Sequence, residues 1–328
     1  MDMLEKFERI KLGHFPTPIE HLKNISKYLG GPNIFIKRDD CTGLATGGNK
    51  TRKLEFLIPD AIKNKAELVV TVGAVQSNHA RQTAAACTLM GLKCLIILEQ
   101  RVKDPPETYM SSGNVFLNKL YGADIKICPK NENFLEYYEK TIKDLKAKGT
   151  NVYFIPGGGS NPIGSLGYVE CLNEIIKENN KYNFSHIVHA TGSSGTQAGL
   201  LAGRKYFNCN IPVIGICIRY DKTIQLDKVY TEAKKSCELL QCNVLDKSEV
   251  VVYDEYIGPG YGEPSDEMIE ATKLLAKKEA ILLDPVYSGK AFAGLIGLIK
   301  NKKFTKKDNV LFIHTGGAAS LSAYEWAF

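Results

Sequence analysis

The sequence predicts an α/β protein in which parallel-type sheets, flanked by helices, are divided between two domains. Three observations predict it. The chain has 328 residues, 44% hydrophobic and 24% charged, which at roughly 100–200 residues per domain means about two domains with cores large enough to need no disulfides. Short apolar runs recur at residues 34–37, 68–72, 94–98, 125–128, 152–155, 187–189, 213–218, 250–253, 281–283 and 310–314. Between many of them lie stretches with apolar residues three and four apart, 135–147 and 267–277 among them. Apolar strands alternating with helices are the pattern of βαβ units.

The runs lack clean apolar–polar alternation, as strands covered by helices on both faces do. No repeat, low-complexity tract or long linker divides the chain. Two glycine clusters, Gly47-Gly48 and Gly157-Gly158-Gly159, mark the expected boundaries. A smaller domain, 51–159, is inserted between the two parts of a larger one, 1–50 and 160–328.

The composition excludes disordered, collagen-like and coiled-coil classes. Lys plus Arg is 42 and Asp plus Glu 36, a mild net charge of +6. The densest basic run, Lys302-Lys303-Phe304-Thr305-Lys306-Lys307, reads as solvated surface, so no nucleic-acid partner is expected. The nine cysteines include no Cys-x-x-Cys pair, and Cys94 and Cys217 sit in apolar runs, as buried thiols in a reducing compartment do. The first nine residues hold no apolar core of signal-peptide length, and no run of about 18 apolar residues occurs. A soluble, cytoplasmic protein with no membrane partner is expected.

The stretch Gly43-Leu44-Ala45-Thr46-Gly47-Gly48-Asn49-Lys50-Thr51 invites comparison with a phosphate-binding loop, G-x-x-x-x-G-K-[ST]. Gly43 and Gly48 have the right separation, but Asn49 intervenes before the lysine. A nucleotide-binding module is therefore the lesser alternative. Taken alone, Lys50 is an ordinary lysine beside a turn. Its neighbours change the reading: it opens a helix after a glycine pair, and crowding by Arg52 and Lys53 would lower its pKa and make it a nucleophilic amine. A carbonyl cofactor bound as a Schiff base needs such an amine.

A second loop, Thr191-Gly192-Ser193-Ser194-Gly195-Thr196-Gln197, follows the run at 187–189. Glycine lets backbone N–H groups converge, hydroxyls add donors, and a helix N-terminus favours an anion. It suits a monophosphate. It lacks the later acidic residue of a dinucleotide fingerprint. A third, Gln76-Ser77-Asn78-His79, follows the run at 68–72. Singly, Ser77 or Asn78 reads as a helix cap and His79 as a structural histidine. A fourth, His314-Thr315-Gly316-Gly317, ends the last run. Ligands of α/β folds bind at such strand ends.

Together these motifs resemble one family. Asp39-Asp40-x-Thr42-Gly43-Leu44 with Gly47-Gly48-Asn49-Lys50-x-Arg52-Lys53-Leu54-Glu55, Gln76-Ser77-Asn78-His79, Asp284-Pro285-Val286-Tyr287 and His314-Thr315-Gly316-Gly317 occur in the order found in the D-cysteine desulfhydrase, L-cysteate sulfo-lyase and 1-aminocyclopropane-1-carboxylate deaminase family. The resemblance spans essentially the whole chain. It implies a fold-type II (tryptophan synthase β-like) enzyme, a homodimer, with pyridoxal 5'-phosphate held mainly by the larger domain. It implies that Lys50 carries the cofactor as a Schiff base, that Asn78 bonds the ring hydroxyl, that Ser193, Ser194, Gly195 and Thr196 cradle the phosphate, and that Thr315 approaches the pyridine nitrogen. Ser77 would carry a proton or bind the substrate carboxylate, Gln76 and Asn78 would contact substrate, and Tyr261 and Tyr287 would line its pocket. No metal is implied.

One position departs from the deaminase branch. That branch resembles this chain but has glutamate after the tyrosine of Asp-Pro-Val-Tyr, where this sequence has Ser288. The resemblance is therefore to the sulfur-eliminating branch, a carbon–sulfur lyase giving pyruvate and ammonium. Within it, Asp40-Cys41-Thr42-Gly43-Leu44, Pro156-Gly157-Gly158-Gly159-Ser160-Asn161-Pro162 and His189-Ala190-Thr191-Gly192 are closer to the L-cysteate sulfo-lyase type than to D-cysteine desulfhydrase. A sulfonate wants a cationic partner, and Arg219 at a strand end is the candidate.

Overall fold

In the computed structural model, which describes residues 3–328, the apolar runs pair into two sheets. Met1 and Asp2, part of the stretch considered for a leader, lie outside the described residues. The order begins with β1 (Ile19–His21), α1 (Lys23–Leu29), β2 (Asn33–Lys37) and α2 (Lys50–Lys63). It continues with β3 (Leu68–Ala74), α3 (Asn78–Leu89), β4 (Lys93–Glu99), α4 (Glu107–Ser111), α5 (Gly113–Leu120), β5 (Asp124–Ile127), α6 (Phe134–Ala147) and β6 (Val152–Ile155). Then come α7 (Pro162–Tyr182), β7 (His186–Thr191), α8 (Gly195–Tyr206), β8 (Val213–Cys217), α9 (Lys222–Leu240), β9 (Val251–Tyr253), α10 (Asp266–Glu279), α11 (Ser288–Lys300) and β10 (Asn309–Ile313).

The larger sheet has the order β1-β2-β10-β7-β8-β9 and the smaller β5-β4-β3-β6. Every pairing is parallel except β1 with β2. The missing alternation has the expected cause. Neighbouring residues Ile187 and Val188 of β7, or Val213 and Ile214 of β8, enter different cores on opposite faces of the larger sheet. One core is closed by Leu166 and Leu172 of α7, Leu200 of α8 and Val229 of α9; the other by Ile25 of α1, Leu275 of α10 and Phe292 of α11. Side chains alternate along a strand, and here both destinations are apolar. In the smaller sheet Val69 and Val70 divide likewise: Leu54 and Leu57 of α2 lie in one core, and Tyr138 and Ile142 of α6 pack against the other.

Two details differ from the sequence reading. The run at 281–283 is not a strand. Ile281 and Leu283 are buried in the core beneath α10 and α11 while Leu282 is exposed, and the Leu282 carbonyl meets His314 Nε2 at 2.9 Å. The segment joins two helices on one sheet face, away from any free edge. β1 escaped notice because three residues on an antiparallel edge show no apolar run. The last residues, 318–327, form 3-10 turns, and Ala323 and Tyr324 enter the core of the smaller sheet.

Candidate active site

Three parallel strands, β3, β7 and β10, end at one place, and the loops that follow them carry the polar motifs. Ser77 caps α3 by accepting from the Ala80 N–H at 3.1 Å. Asn78 opens that helix, and its Oδ1 accepts from Arg81 Nη1 at 3.1 Å and Asn114 Nδ2 at 2.9 Å. Arg81 also donates to the Gly47 carbonyl at 2.7 Å, so one buried guanidinium ties the Asn78 loop to the lysine loop. The Asn78 amide nitrogen lies beside Gly317, where φ is +109° and a Cβ would stand 2.6 Å from it and from the Asp284 Cβ. Only glycine fits there.

Two cavities meet at Lys50. The inner one is lined by Asn49, Lys50, Asn78, Thr196, Tyr287 and Thr315 together with the loop 190–194. The outer one, about 530 Å³, shares Lys50, Gly192, Ser193, Ser194 and Tyr287 and adds Ser77, His79, Arg101, Arg219 and Tyr261. The Lys50 amine is buried at the first position of α2, and burial pushes its pKa down to about 8, against the pull of Asp284. The sequence reading had the direction but the wrong cause. Arg52 does not crowd it: that guanidinium turns away to Asp39 and Glu174, at 2.8 Å from each.

The loop between β7 and α8 has the shape of an anion cradle. Ser194 is held at φ +76°, a conformation that costs a non-glycine residue of order 1–3 kcal/mol. The Gly195 N–H, an unpaired donor at the start of α8, is met by Ser160 Oγ at 3.1 Å, and Ser160 donates to Ser193 Oγ at 2.9 Å. A Cβ on Gly195 would stand 2.7 Å from Ser160 Oγ and 2.9 Å from Lys53 Nζ. A glycine amide, two serine hydroxyls and the Lys53 amine thus converge on one spot, and Asn49 Nδ2 reaches Thr196 Oγ1 at 3.1 Å. These donors fit the phosphate of pyridoxal phosphate.

Lys53 and Ser160 were missed as site residues. Lys53 sits nearly one turn after Lys50 in α2 and donates to the Gly158 carbonyl at 2.9 Å; burial pushes its pKa well down. The i, i+3 spacing, which puts both amines on one helix face, was the available signal. Of the residues named from the sequence, Gly195 lines neither cavity but stands at the cradle, and Gln76 reaches neither. Its amide donates to the Tyr109 and Ser112 carbonyls at 2.6 and 3.0 Å and accepts from the Asn114 N–H at 2.9 Å, which spends it on holding α4 and α5.

His79 lies in the outer cavity wall. Thr71 Oγ1 donates to the Ile155 carbonyl at 2.8 Å, so its oxygen accepts from His79 Nε2 at 2.7 Å. Nδ1 is then a bare acceptor, buried and without a partner, and burial keeps the ring neutral. Tyr261 and Tyr287 share a hydroxyl–hydroxyl bond of 2.5 Å. Among the described residues, no cluster of His, Cys, Asp and Glu could hold a metal, and no helix is long and apolar enough to cross a membrane.

The family model described as pyridoxal-phosphate dependent enzyme matches residues 10–316. Among solved structures, one described as an ACC deaminase homologue matches with a TM-score of 0.89 and 38% identity, covering 98% of this chain and 96% of that one.

Proposed function

The chain belongs to the pyridoxal-phosphate-dependent enzyme family, and from that premise we propose that it catalyses α,β-elimination on a cysteine-type amino acid, with L-cysteate as substrate and sulfite as leaving group. One observation carries the reading: a buried lysine amine stands between a small phosphate-type cradle and a larger cavity with cationic walls. Its fold is type II, with pyridoxal phosphate as cofactor and a small substrate.

When bound, pyridoxal phosphate supplies the sink for the electron pair left at Cα. Ser160, Ser193, the Gly195 amide and Lys53 would hold its phosphate, Asn78 and the neutral Thr315 would contact its ring, and Lys50 would anchor it. Lys50 or Ser77 takes the Cα proton, a general-base step. The Cα–H pair becomes the Cα–Cβ double bond as the Cβ–S bond breaks, and the sulfur leaves with its own pair as sulfite. Water hydrolyses the released enamine, so L-cysteate and one water give pyruvate, ammonium and hydrogen sulfite. Tyr261 and Tyr287 wall the outer cavity that would receive the substrate.

Ser288 supports elimination over cyclopropane ring opening. Its hydroxyl and N–H both donate to Asp284 Oδ1, each at 2.6 Å, so no side-chain acid is free at that position. Nine free cysteines support a reducing compartment such as the cytoplasm, and the family resemblance supports a homodimer. All four strands of the smaller sheet fall between residues 68 and 155, which supports 51–159 as a smaller inserted domain.

A pyruvate-release assay over L-cysteate, D-cysteine, L-cysteine, D-serine and 1-aminocyclopropane-1-carboxylate tests the proposal. Sulfite and pyruvate from L-cysteate are expected to dominate. Hydrosulfide from D-cysteine as the main product would make the protein a desulfhydrase with the same machinery, and 2-oxobutyrate from the cyclopropane substrate would overturn elimination.

A further inference from the structure

The outer cavity holds more positive charge than a neutral amino acid calls for. Arg101 follows β4 in the smaller sheet and Arg219 follows β8 in the larger one, and both reach the same ring. The guanidinium carbons of Arg101 and Arg219 lie 5.0 and 5.8 Å from the Tyr261 centroid. Arg101 has one carboxylate, Glu99, at 2.5 Å. Arg219 forms no ion pair among the described residues and rests on the rings of Tyr220, at 4.7 Å, and Tyr261.

Other charges in the wall do not cancel this excess. Asp227 is paired with Lys247 at 2.5 Å, burial pushes Glu232 towards its neutral form, and Lys228 adds a further cation over Tyr220. Two guanidiniums converging on one ring from separate sheets repel each other unless an anion joins them.

We propose that Arg101 and Arg219 together hold an anionic group on Cβ of the substrate, so that the enzyme selects amino acids bearing a sulfonate or another full negative charge there over those bearing a neutral thiol. The inference rests on the elimination reading for the amino-acid class, and it adds the residues that read the charge. Planar guanidiniums present several N–H donors in fixed directions, which suits a tetrahedral oxyanion. Because the two arginines come from the ends of different sheets, the bound anion also bridges the smaller sheet to the larger one over Lys50.

The test is a calorimetric titration of the holoenzyme with 3-sulfopropanoate, an unreactive ligand with the carboxylate and sulfonate of cysteate but no amine, against propanoate. Wild type is expected to favour the sulfonate strongly, and Arg219→Gln to lower the ratio of the two affinities about tenfold or more, the effect of one lost charge-assisted contact. Arg101→Gln is made together with Glu99→Gln, so that no bare carboxylate is left, and is expected to do the same. Arg219→Lys keeps an intermediate ratio. Retained cofactor absorbance shows that each variant is folded. An unchanged ratio in either glutamine variant overturns the proposal. The titration involves no turnover: if no amino acid yields pyruvate yet the ratio falls as stated, the elimination reading fails and the anion site stands. If pyruvate forms and the ratio stays flat, the elimination reading stands and the anion site fails.

Discussion

Ser288 and Asp284 hold each other reciprocally: the Ser288 hydroxyl donates to Asp284 Oδ1 at 2.6 Å while the Asp284 N–H donates to Ser288 Oγ at 2.7 Å. Both residues are fully buried, and Asp284 Oδ2 takes the N–H groups of Val286 and Tyr287 at 3.1 and 3.0 Å. Burial pushes the Asp284 carboxyl up, and these bonds pull it back. The pair shapes the turn into α11 and fixes Tyr287 in the cavity wall.

Ser288→Glu therefore sets a second buried carboxylate against Asp284. Lys50 and Lys290 feel Asp284 without pairing with it, so two carboxylates buried side by side there repel at a cost on the order of several kcal/mol. The variant is expected to melt well below wild type and to lose its cofactor, not to gain deaminase activity. A folded Ser288→Glu protein that releases 2-oxobutyrate from 1-aminocyclopropane-1-carboxylate would sink this account.

The Lys50 amine, with its pKa near 8, sets the pH response of the cofactor-free protein. Below that value the amine is protonated and unreactive. Recombination with pyridoxal phosphate is expected to speed up about tenfold per pH unit up to about 8 and then to level off. Stability follows the same group. Between about 8 and the ordinary lysine value of 10.5 the unfolded chain binds the proton that the folded chain has lost, so the cofactor-free protein gains stability as pH rises through that window. Lys50→Met should remove the Lys50 share of that gain in a series of urea titrations and leave the part due to Lys53 and Lys290, whose pKa values burial also lowers.

Lys53 is expected to discriminate phosphate from its absence. Lys53→Met should weaken pyridoxal phosphate binding about tenfold or more, by loss of one charge-assisted contact, while leaving pyridoxal binding nearly unchanged. Equilibrium dialysis with both forms checks this, and equal losses for the two would mean that Lys53 only supports the helix.

Behind the site, Arg52, Asp39, Glu174 and Lys37 form a buried network. Arg52 bonds Asp39 and Glu174 at 2.8 Å each, and Lys37 Nζ lies 2.8 Å from Glu174. Burial alone would raise both carboxyl pKa values, but Arg52 and Lys37 together outweigh it and hold them below the ordinary range. Their contribution is full above the ordinary carboxylate pKa of about 4 and is lost as pH falls below it. Asp39→Asn, which strands the Arg52 charge, should cost about 3–5 kcal/mol at neutral pH, with a much smaller deficit in acid. Denaturant midpoints at neutral and acid pH check both.

Much of this architecture was legible because parallel strands announce themselves as short apolar runs. The edge strand at Ile19 lacks such a run, and the segment around Leu283 has one without being a strand, since burial between helices selects the same residues as burial in a sheet. At the site, glycine and hydroxyl patterns located the loop before α2 and the loops after β3, β7 and β10. They did not show where side chains turn. Gln76 belongs to the Ser77-Asn78 motif in sequence yet points to α4 and α5, while Lys53, which looked like a charged neighbour of Lys50, reaches the phosphate cradle. Arg101 stands in no motif, and only folding carries it to Tyr261.

The position of β10, described above between β2 and β7, bears on how the protein is made. The strands of the smaller sheet are contiguous in sequence, so that sheet can assemble while the rest is still being translated. The larger sheet cannot close until Asn309–Ile313 has left the ribosome, because β2 and β7 have no partnership except through it. For most of synthesis the edges of β2 and β7 wait unpaired, the condition under which strands seek other chains. A stop codon upstream of residue 309 would therefore yield an aggregating fragment whose smaller sheet is paired but lacks Ala323 and Tyr324 from its core, not a weakened enzyme.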